Sequence, residues 1–486
     1  MVVSLGGIVL DQTTSGISTA SVNFIQGSFA LTPDEGSWVL TAFNAAYYTS
    51  TVVSAWMQSR FGRKRVFIGG LLSFALFSWL CAFAWNAEAL VVLRALQGFA
   101  LGSVFVPALV NILVSVSPKK IGYAFLPFTF TTVAASTIGL MLGGIFVQYA
   151  QWQDVFACIS IFAVVLAVVA AFTLLSDEGK RRPFDPVGIG LLFVAFVTFQ
   201  YVVNEGERRD YFNDTGITVA AVMMLASIVA FVVWKLHLSR YPFFNLRLLG
   251  RLGLTLAAIC AGLLSVAQYS GNVLVQYSQV AGTHFSPTDA GALFALRIVT
   301  LLVGIAGVGL LVIRRHVNPR LAMSVALVAF AGFTLLQADR MTSTADFNAF
   351  IGIELLLGVA QGAANQPLPA FIFSQTSRHE LPLGAVVYKL ARSLGTAIAG
   401  AIADRFVEVH SAQNLSDIAG TISLSRPNVA SFVMQHANIH TLAASVNVEA
   451  TVIAFDDLTR IFGILMLVLI PIFYFIPLPK QRRSSG

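Results

Sequence analysis

Long apolar runs recur along almost the whole chain, and each is long enough to cross a bilayer as a helix. A span needs roughly 20 apolar residues to traverse the hydrocarbon. Fourteen such runs can be marked: 2–24, 36–56, 66–85, 88–116, 121–148, 153–175, 187–204, 216–236, 253–279, 289–312, 320–338, 348–373, 382–404 and 458–477. The chain is 57% hydrophobic and only 11% charged, with a mean hydropathy of +0.79, which no water-soluble domain of 486 residues tolerates on its surface. The sequence predicts an all-α polytopic membrane protein of 14 transmembrane helices.

Charge sets the expected orientation. Of the 30 Lys and Arg residues, 20 fall in the loops 57–65, 117–121, 176–186, 235–252, 313–320 and 374–381 and in the C-terminal tail. Five lie in the opposite loops and five inside spans. Basic loops stay in the cytoplasm, so both termini are expected there. The net charge of +7 then describes a membrane-facing rim, and no nucleic-acid partner is expected. The first run leads straight on into further spans with no small-residue cleavage site, so it reads as a retained helix. Cys81, Cys158 and Cys260 lie within spans without metal-ligand spacing and read as packing residues.

The chain repeats itself. Arg94, Gly98, Gly102 and Pro107 in the fourth span match Glu354, Gly358, Gly362 and Pro367 in the twelfth at a constant offset of 260. A weaker match at an offset of 255 pairs SGIS (15–18) with SGNV (270–273) and TPDEG (32–36) with PTDAG (287–291). Spans 1–6 therefore recur as spans 9–14, with spans 7 and 8 as an insert. The expected division is a six-helix half over 1–182, a two-helix insert over 183–240 and a second half over 241–486, which carries a long loop at 405–457.

This order of motifs resembles the major facilitator superfamily, and within it the fourteen-span drug:proton antiporters of the EmrB/QacA type. LDQT (10–13) is similar to the family's LDxT, EGSWVLTAF (35–43) to its second-span opening, RFGRKRVF (60–67) to its basic loop and LRALQG (93–98) to its fourth-span signature. EGERRDYF (205–212) with NLRLLGR (245–251) resembles the insert region, and VIAFDDLTRIFG (452–463) the re-entry into the last span. The chain also departs from the pattern. Ala55 and Ser59 replace the glycine and aspartate of the basic loop, Leu140 stands in GLMLGG (139–144) where the antiporter signature has proline, and WQDVF (152–156) replaces WRWIF. The resemblance implies alternating access, proton-coupled efflux of small amphipathic molecules across a bacterial inner membrane, no cofactor beyond the proton-motive force, and a possible tripartite pump with a periplasmic adaptor and an outer-membrane channel.

Charges inside spans are costly, about 2.5–3.5 kcal/mol each on insertion scales, so they mark function by default. Asp11 lies about 15 Å from the start of the first span. There it is the leading proton site, or else it pairs locally near a frayed terminus. Arg94 is a fixed charge that tunes Asp11 or Glu354, or an arginine that only bonds backbone between helices; Gln97 is placed to hold its guanidinium. Glu354 is a second proton site, a ligand for a cationic substrate, or the partner of an in-span base. Arg297, Lys389, Arg392 and Gln366 are the candidate substrate-cavity residues. Lys389 and Arg392 share one helical face and suit an anionic substrate, unless they snorkel to headgroups.

Arg60, Gly62, Arg63 and Lys64 form a basic turn that latches one state in the resembled family, a latch expected to be weaker with Ser59, or that merely sets topology. Gly98, Gly139, Gly143 and Gly144 have motif roles by resemblance, while small residues at such spacing also serve close helix packing. The segment VASFVMQHANIHTL (429–442) has the spacing of an amphipathic helix that docks an adaptor or lies on the membrane surface. No phosphate-binding loop, metal pair or Ser/His/Asp cluster occurs, so neither ATP-driven transport nor catalysis is expected. An importer or uniporter of an organic anion on the same fold, and a non-transporting receptor, are the alternatives.

Overall fold

The computed structural model describes residues 1–117, 120–149, 151–180, 183–238, 248–280, 287–315, 317–422 and 439–476. Among the described residues there is no strand. The first half contains α1 (Val2–Phe29), α2 (Pro33–Phe61), α3 (Arg63–Ala82), α4 (Ala87–Val114), α5 (Ile121–Tyr149) and α6 (Trp152–Thr173). Then come α7 (Pro186–Glu205), α8 (Thr215–Val233), α9 (Leu252–Ala267), α10 (Ser270–Val280), α11 (Pro287–Arg314), α12 (Pro319–Ala338), α13 (Phe347–Asn365), α14 (Leu368–Ser374), α15 (Leu381–Thr421) and α16 (Ile439–Phe475). Polar side chains start several of them. Asn86, Asp185 and Asp214 accept the amides of Ala89, Gly188 and Ile217 at 2.8–2.9 Å, and Thr32 forms a capping box with Glu35.

Among the described residues twelve helical stretches are long and apolar enough to cross a membrane. The polar run QTTSGIST in α1 and the hydroxyl-rich sequence of α2 keep these two helices outside that set, although both pack inside the bundle. Two expected spans are broken. The ninth divides into α9 and α10, and the twelfth ends as a helix at Asn365 before Pro367, which cannot donate a backbone hydrogen bond, and resumes as α14. The thirteenth and fourteenth reach far beyond their expected ends at 404 and 458. With 41 and 37 residues, α15 and α16 are about 60 and 55 Å long, against a hydrocarbon core of about 30 Å. Of the segment 429–442, residues 429–438 lie outside the described residues and the remainder opens α16.

Helix pairings in the first half recur in the second. α2 lies along α4 as α11 lies along α13, α1 along α5 as α9 along α15, and α3 packs on α4 and α6 as α12 packs on α13 and α16. The two sets meet where α5 crosses α11 and where α15 touches α2 and α4. α7 packs on α2, and α8 on α7. The perimeter is apolar: Val164, Val165 and Val168 on α6 and Val222, Met223 and Val229 on α8 are exposed, as lipid-facing residues must be.

The repeat's glycines are contact points between backbones. A Cβ on Gly98 would stand 2.2 Å from the Phe43 carbonyl oxygen, and one on Gly102 2.3 Å from that of Tyr47. In the second half, a Cβ on Gly358 would stand 2.6 Å from the Arg297 carbonyl oxygen and one on Gly362 2.3 Å from that of Leu301. The α2–α4 and α11–α13 crossings thus have the same construction, and they make Phe43 and Arg297 equivalent positions.

Candidate functional site

A buried ion pair joins the two sets of helices. Asp11 on α1 receives Lys389 Nζ of α15 at 2.6 Å, across 378 residues of chain. Asp11 is fully buried and Lys389 is 5% exposed, so the pair lies in the protein interior. The Tyr47 hydroxyl on α2 donates to the other oxygen of Asp11 at 2.6 Å, and Lys389 also donates to Gln12 Oε1 at 2.9 Å. Phe105 on α4 and Tyr47 place their rings 4.7 and 5.4 Å from the ammonium. Four helices from both sets therefore converge on one carboxylate and one ammonium. Breaking such a pair by removing one partner generally costs about 3–5 kcal/mol, because the remaining charge is stranded.

The surroundings are asymmetric. Towards the basic loops the helix sets close on each other: Phe125 of α5 stacks on Phe373 of α14 at 5.8 Å, and Phe128 meets Tyr388 of α15 at 5.6 Å, all four buried. On the other side of the pair, Ser15, Ser136 and Thr396, one to two turns beyond Asp11, Thr132 and Lys389, are exposed. Among the described residues the helix sets are shut against each other on the basic side.

Arg392 lies one turn from Lys389. It donates to Asn365 Oδ1 at 2.6 Å and to Gln268 Oε1 at 3.1 Å, both neutral oxygens. Arg297 is not brought to this pair. It forms an ion pair with Glu354 at 2.8 Å, and Glu354 accepts from Gln337 of α12 at 2.7 Å. The expectation that Glu354 partners an in-span base matches this geometry. Gln366 is buried beside Gly309 of α11.

Arg94 occupies the corresponding place in the first half. Its guanidinium donates to Gln97 at 2.7 Å, Gln97 donates to Ser78 of α3 at 2.7 Å, and Phe43 lies beneath the guanidinium at 4.3 Å. The structure sets Lys389 against Asp11 and Arg297 against Glu354, so neither carboxylate is paired with Arg94 among the described residues. An offset in a repeat marks equivalent positions, not neighbours. What is an ion pair in one half, Glu354 with Arg297, is a cation–π contact in the other, Arg94 over Phe43.

The basic turn is clamped by a residue the motif did not mark. Asp177, between α6 and α7, accepts the Arg63 amide and the Arg63 Nε, both at 2.8 Å. Gly62 has φ +87° and its Cβ would stand 2.4 Å from the Asp177 carbonyl oxygen, so only glycine suits this position. Lys180 donates its amide to the Ser59 carbonyl at 2.8 Å, Arg60 sits 5.6 Å from the Trp56 ring, and Lys64 caps the Ala171 carbonyl at 2.7 Å. An acid supplied by the following linker thus holds the turn that has Ser59 in place of aspartate. A Cβ on Gly139 would stand 2.8 Å from the Thr13 carbonyl oxygen, where α5 approaches α1. Gly143 and Gly144 lie in α5, outside the residues whose packing is described.

Sequence reading missed Tyr47, Gln12, Phe105 and Asp177. Tyr47 had a signal: it sits one turn from Phe43 on the face that meets Gly98 and Gly102. Asp177 also had one, as an acid immediately ahead of a basic run in a loop that faces another basic loop.

A model of the Major Facilitator Superfamily matches residues 3–281, more than half of the chain. The chain belongs to the major facilitator superfamily. It is therefore a membrane transporter rather than an enzyme. Among its relatives, the multidrug export protein EmrB of Haemophilus influenzae is 24% identical over 398 residues, covering 80% of this chain and 76% of that protein. The fatty acid resistance protein FarB of Neisseria gonorrhoeae is 24% identical, covering 98% and 95%. Two solved structures share the fold: the proton:xylose symporter XylE, at a TM-score of 0.56, 12% identity and coverage of 98% and 94%, and an auto-inhibited POT family peptide transporter, at 0.58, 14%, 99% and 98%.

On the far side, a clasp links the α7–α8 loop to α15. Arg405 contacts Asp210 at 3.2 Å, and the Tyr211 hydroxyl donates to the Ala401 carbonyl at 3.4 Å. Burial, then the charges of Asp404 and Glu408, push the Glu207 carboxyl up to about 7, with Arg208 opposing. A carboxyl raised above its unfolded value of 4.5 adds stability below that pH and loses it as pH rises towards 7. Hydrogen exchange in residues 206–214, corrected for intrinsic rates, should quicken as pH rises from 4.5 to about 7 and level off above it, and Glu207→Gln should remove the change.

Proposed function

We propose that this protein exports small amphipathic molecules in exchange for protons, by alternating access, across a bacterial inner membrane. The observation that carries the reading is the buried Asp11–Lys389 pair between the helix sets. For the basic side to open, α15 must move relative to α1, and the pair must part. A proton on Asp11 makes that separation possible without stranding a carboxylate, so Asp11 is the coupling site, with Tyr47 orienting it. The proton-motive force, about 2.3 kcal/mol per charge per 100 mV, drives the cycle and no cofactor is needed.

In this reading both termini are cytoplasmic and the moving units are residues 1–182 and 241–486, with 183–240 as a flanking insert. α1 and α2 also cross the membrane, which makes fourteen spans, and their polar faces line the path. Arg94 with Gln97 and Glu354 with Arg297 tie the second, third and fourth helices of each half into a rigid body. The basic turn clamped by Asp177 keeps the cytoplasmic ends of the first unit together as it moves. The far-side extensions of α15 and α16 are a platform for a periplasmic adaptor of a tripartite pump.

Arg392, held by neutral oxygens, favours substrates that carry a carboxylate, and the fatty acid resistance named for FarB fits that class. The same geometry favours a second reading. Protonating Asp11 frees Lys389 to bind an anion, so proton and anion tend to bind together, as they do in an importer. Flux in inside-out vesicles separates the two. Export predicts accumulation of a lipophilic carboxylate in vesicles acidified inside and proton release when substrate is added. Accumulation only under the reverse gradient establishes uptake, and flux that ignores the gradient ends both.

A further inference from the structure

A groove on the outer face of the first half has a construction that none of the transport chemistry uses. It lies where the end of α2 meets the length of α3 and the middle of α4, encloses 390 Å³, and is open to one side. Its floor is a stripe on α3 with a spacing of four: Arg65, Gly69, Ser73 and Phe77. Such residues stack on one face of a helix. Twelve residues of helix are about 18 Å, close to one leaflet's share of a hydrocarbon core of about 30 Å.

The groove is shaped by what is missing from it. A Cβ on Gly69 would meet no atom within 4 Å, and Ser73 adds only a hydroxymethyl group. Phe99 of α4 and Met57 of α2 form walls. Leu72, Leu76 and Trp79, on the adjoining face of α3, are exposed and bulky, so the rest of the lipid-facing surface is filled where this stripe is hollow. Arg65 stands at the end next to the basic loop. It is exposed, and among the described residues no carboxylate pairs with it; Asp177 is taken by Arg63.

We propose that this groove holds one acyl chain of an anionic phospholipid whose phosphate rests on Arg65. The charge at the mouth, the apolar walls and the one-leaflet length all match that occupant. The lipid sits beside Met57 and Phe61 at the end of α2 and so braces the turn that Asp177 clamps from the other side.

The test is native mass spectrometry of the full chain after exchange into phosphatidylglycerol, phosphatidylcholine or laurate. Wild type should retain phosphatidylglycerol over phosphatidylcholine by about fivefold, the effect of one basic side chain near a membrane surface. Arg65→Gln should erase the preference. Gly69→Phe and, independently, Ser73→Leu should remove the retained lipid. Equal retention of both phospholipids by wild type, or undiminished retention in a folded Gly69→Phe or Ser73→Leu protein, overturns the proposal. So does retention of laurate in place of phosphatidylglycerol, which would make the groove a site for free carboxylates.

Discussion

Asp11→Asn is expected to abolish gradient-driven flux in reconstituted vesicles while leaving a slow, gradient-independent leak. Asparagine keeps the size of the side chain and a carbonyl to accept from Tyr47, but it neither ionises nor neutralises Lys389. Lys389 is then a buried ammonium among Phe105, Tyr47 and Gln12, and a loss of about 3–5 kcal/mol of stability is expected with it. Reduced flux alone is therefore ambiguous. Combining Asp11→Asn with Lys389→Gln should restore much of the stability, since no charge remains to be stranded, without restoring coupling. Gradient-driven flux by the stable double variant would refute the role given to Asp11.

Gly98→Leu should prevent assembly of the first half. Its Cβ would lie 2.2 Å from a backbone oxygen of Phe43, and a backbone cannot turn aside as a side chain can. Ordinary overpacking costs about 1–3 kcal/mol. Here the whole α2–α4 crossing must spread, which would also pull Arg94 away from Phe43. Size-exclusion chromatography in detergent should show aggregated or degraded Gly98→Leu protein, and Gly362→Leu should behave alike at the α11–α13 crossing. Gly69→Ala is the control, because its Cβ enters open space. A monodisperse Gly98→Leu protein of wild-type melting temperature would show that the close approach is not needed.

Both experiments test features that differed in how visible they were beforehand. The glycines at 98, 102, 358 and 362 were legible because a helix crossing that needs small residues leaves them at fixed spacing, and the repeat wrote the pattern twice. Arg94 with Gln97 was legible for a similar local reason, since three residues along a helix bring side chains together. The clamp on Arg63 was not, because Asp177 comes from a linker more than a hundred residues away. Which carboxylate, if any, lies near Arg94 was not legible either, because the repeat marks Arg94 and Glu354 as equivalent positions and says nothing of their neighbours.

The sequence by itself determined the class of molecule, the approximate positions of its spans, the basic side and the internal repeat. Each of these is written in local composition or fixed spacing, because water, lipid and close helix contacts select residues one position at a time. The partners of the buried charges, Lys389 for Asp11 and Arg297 for Glu354, were decided only by the tertiary structure. So were the breaks at Gln268 and Gln366, the long reach of α15 and α16, and the side on which the helix sets close on each other. The physical reason is that a buried charge requires an opposite charge or a hydrogen-bonding group nearby but does not specify where along the chain it comes from; helix packing alone supplies that.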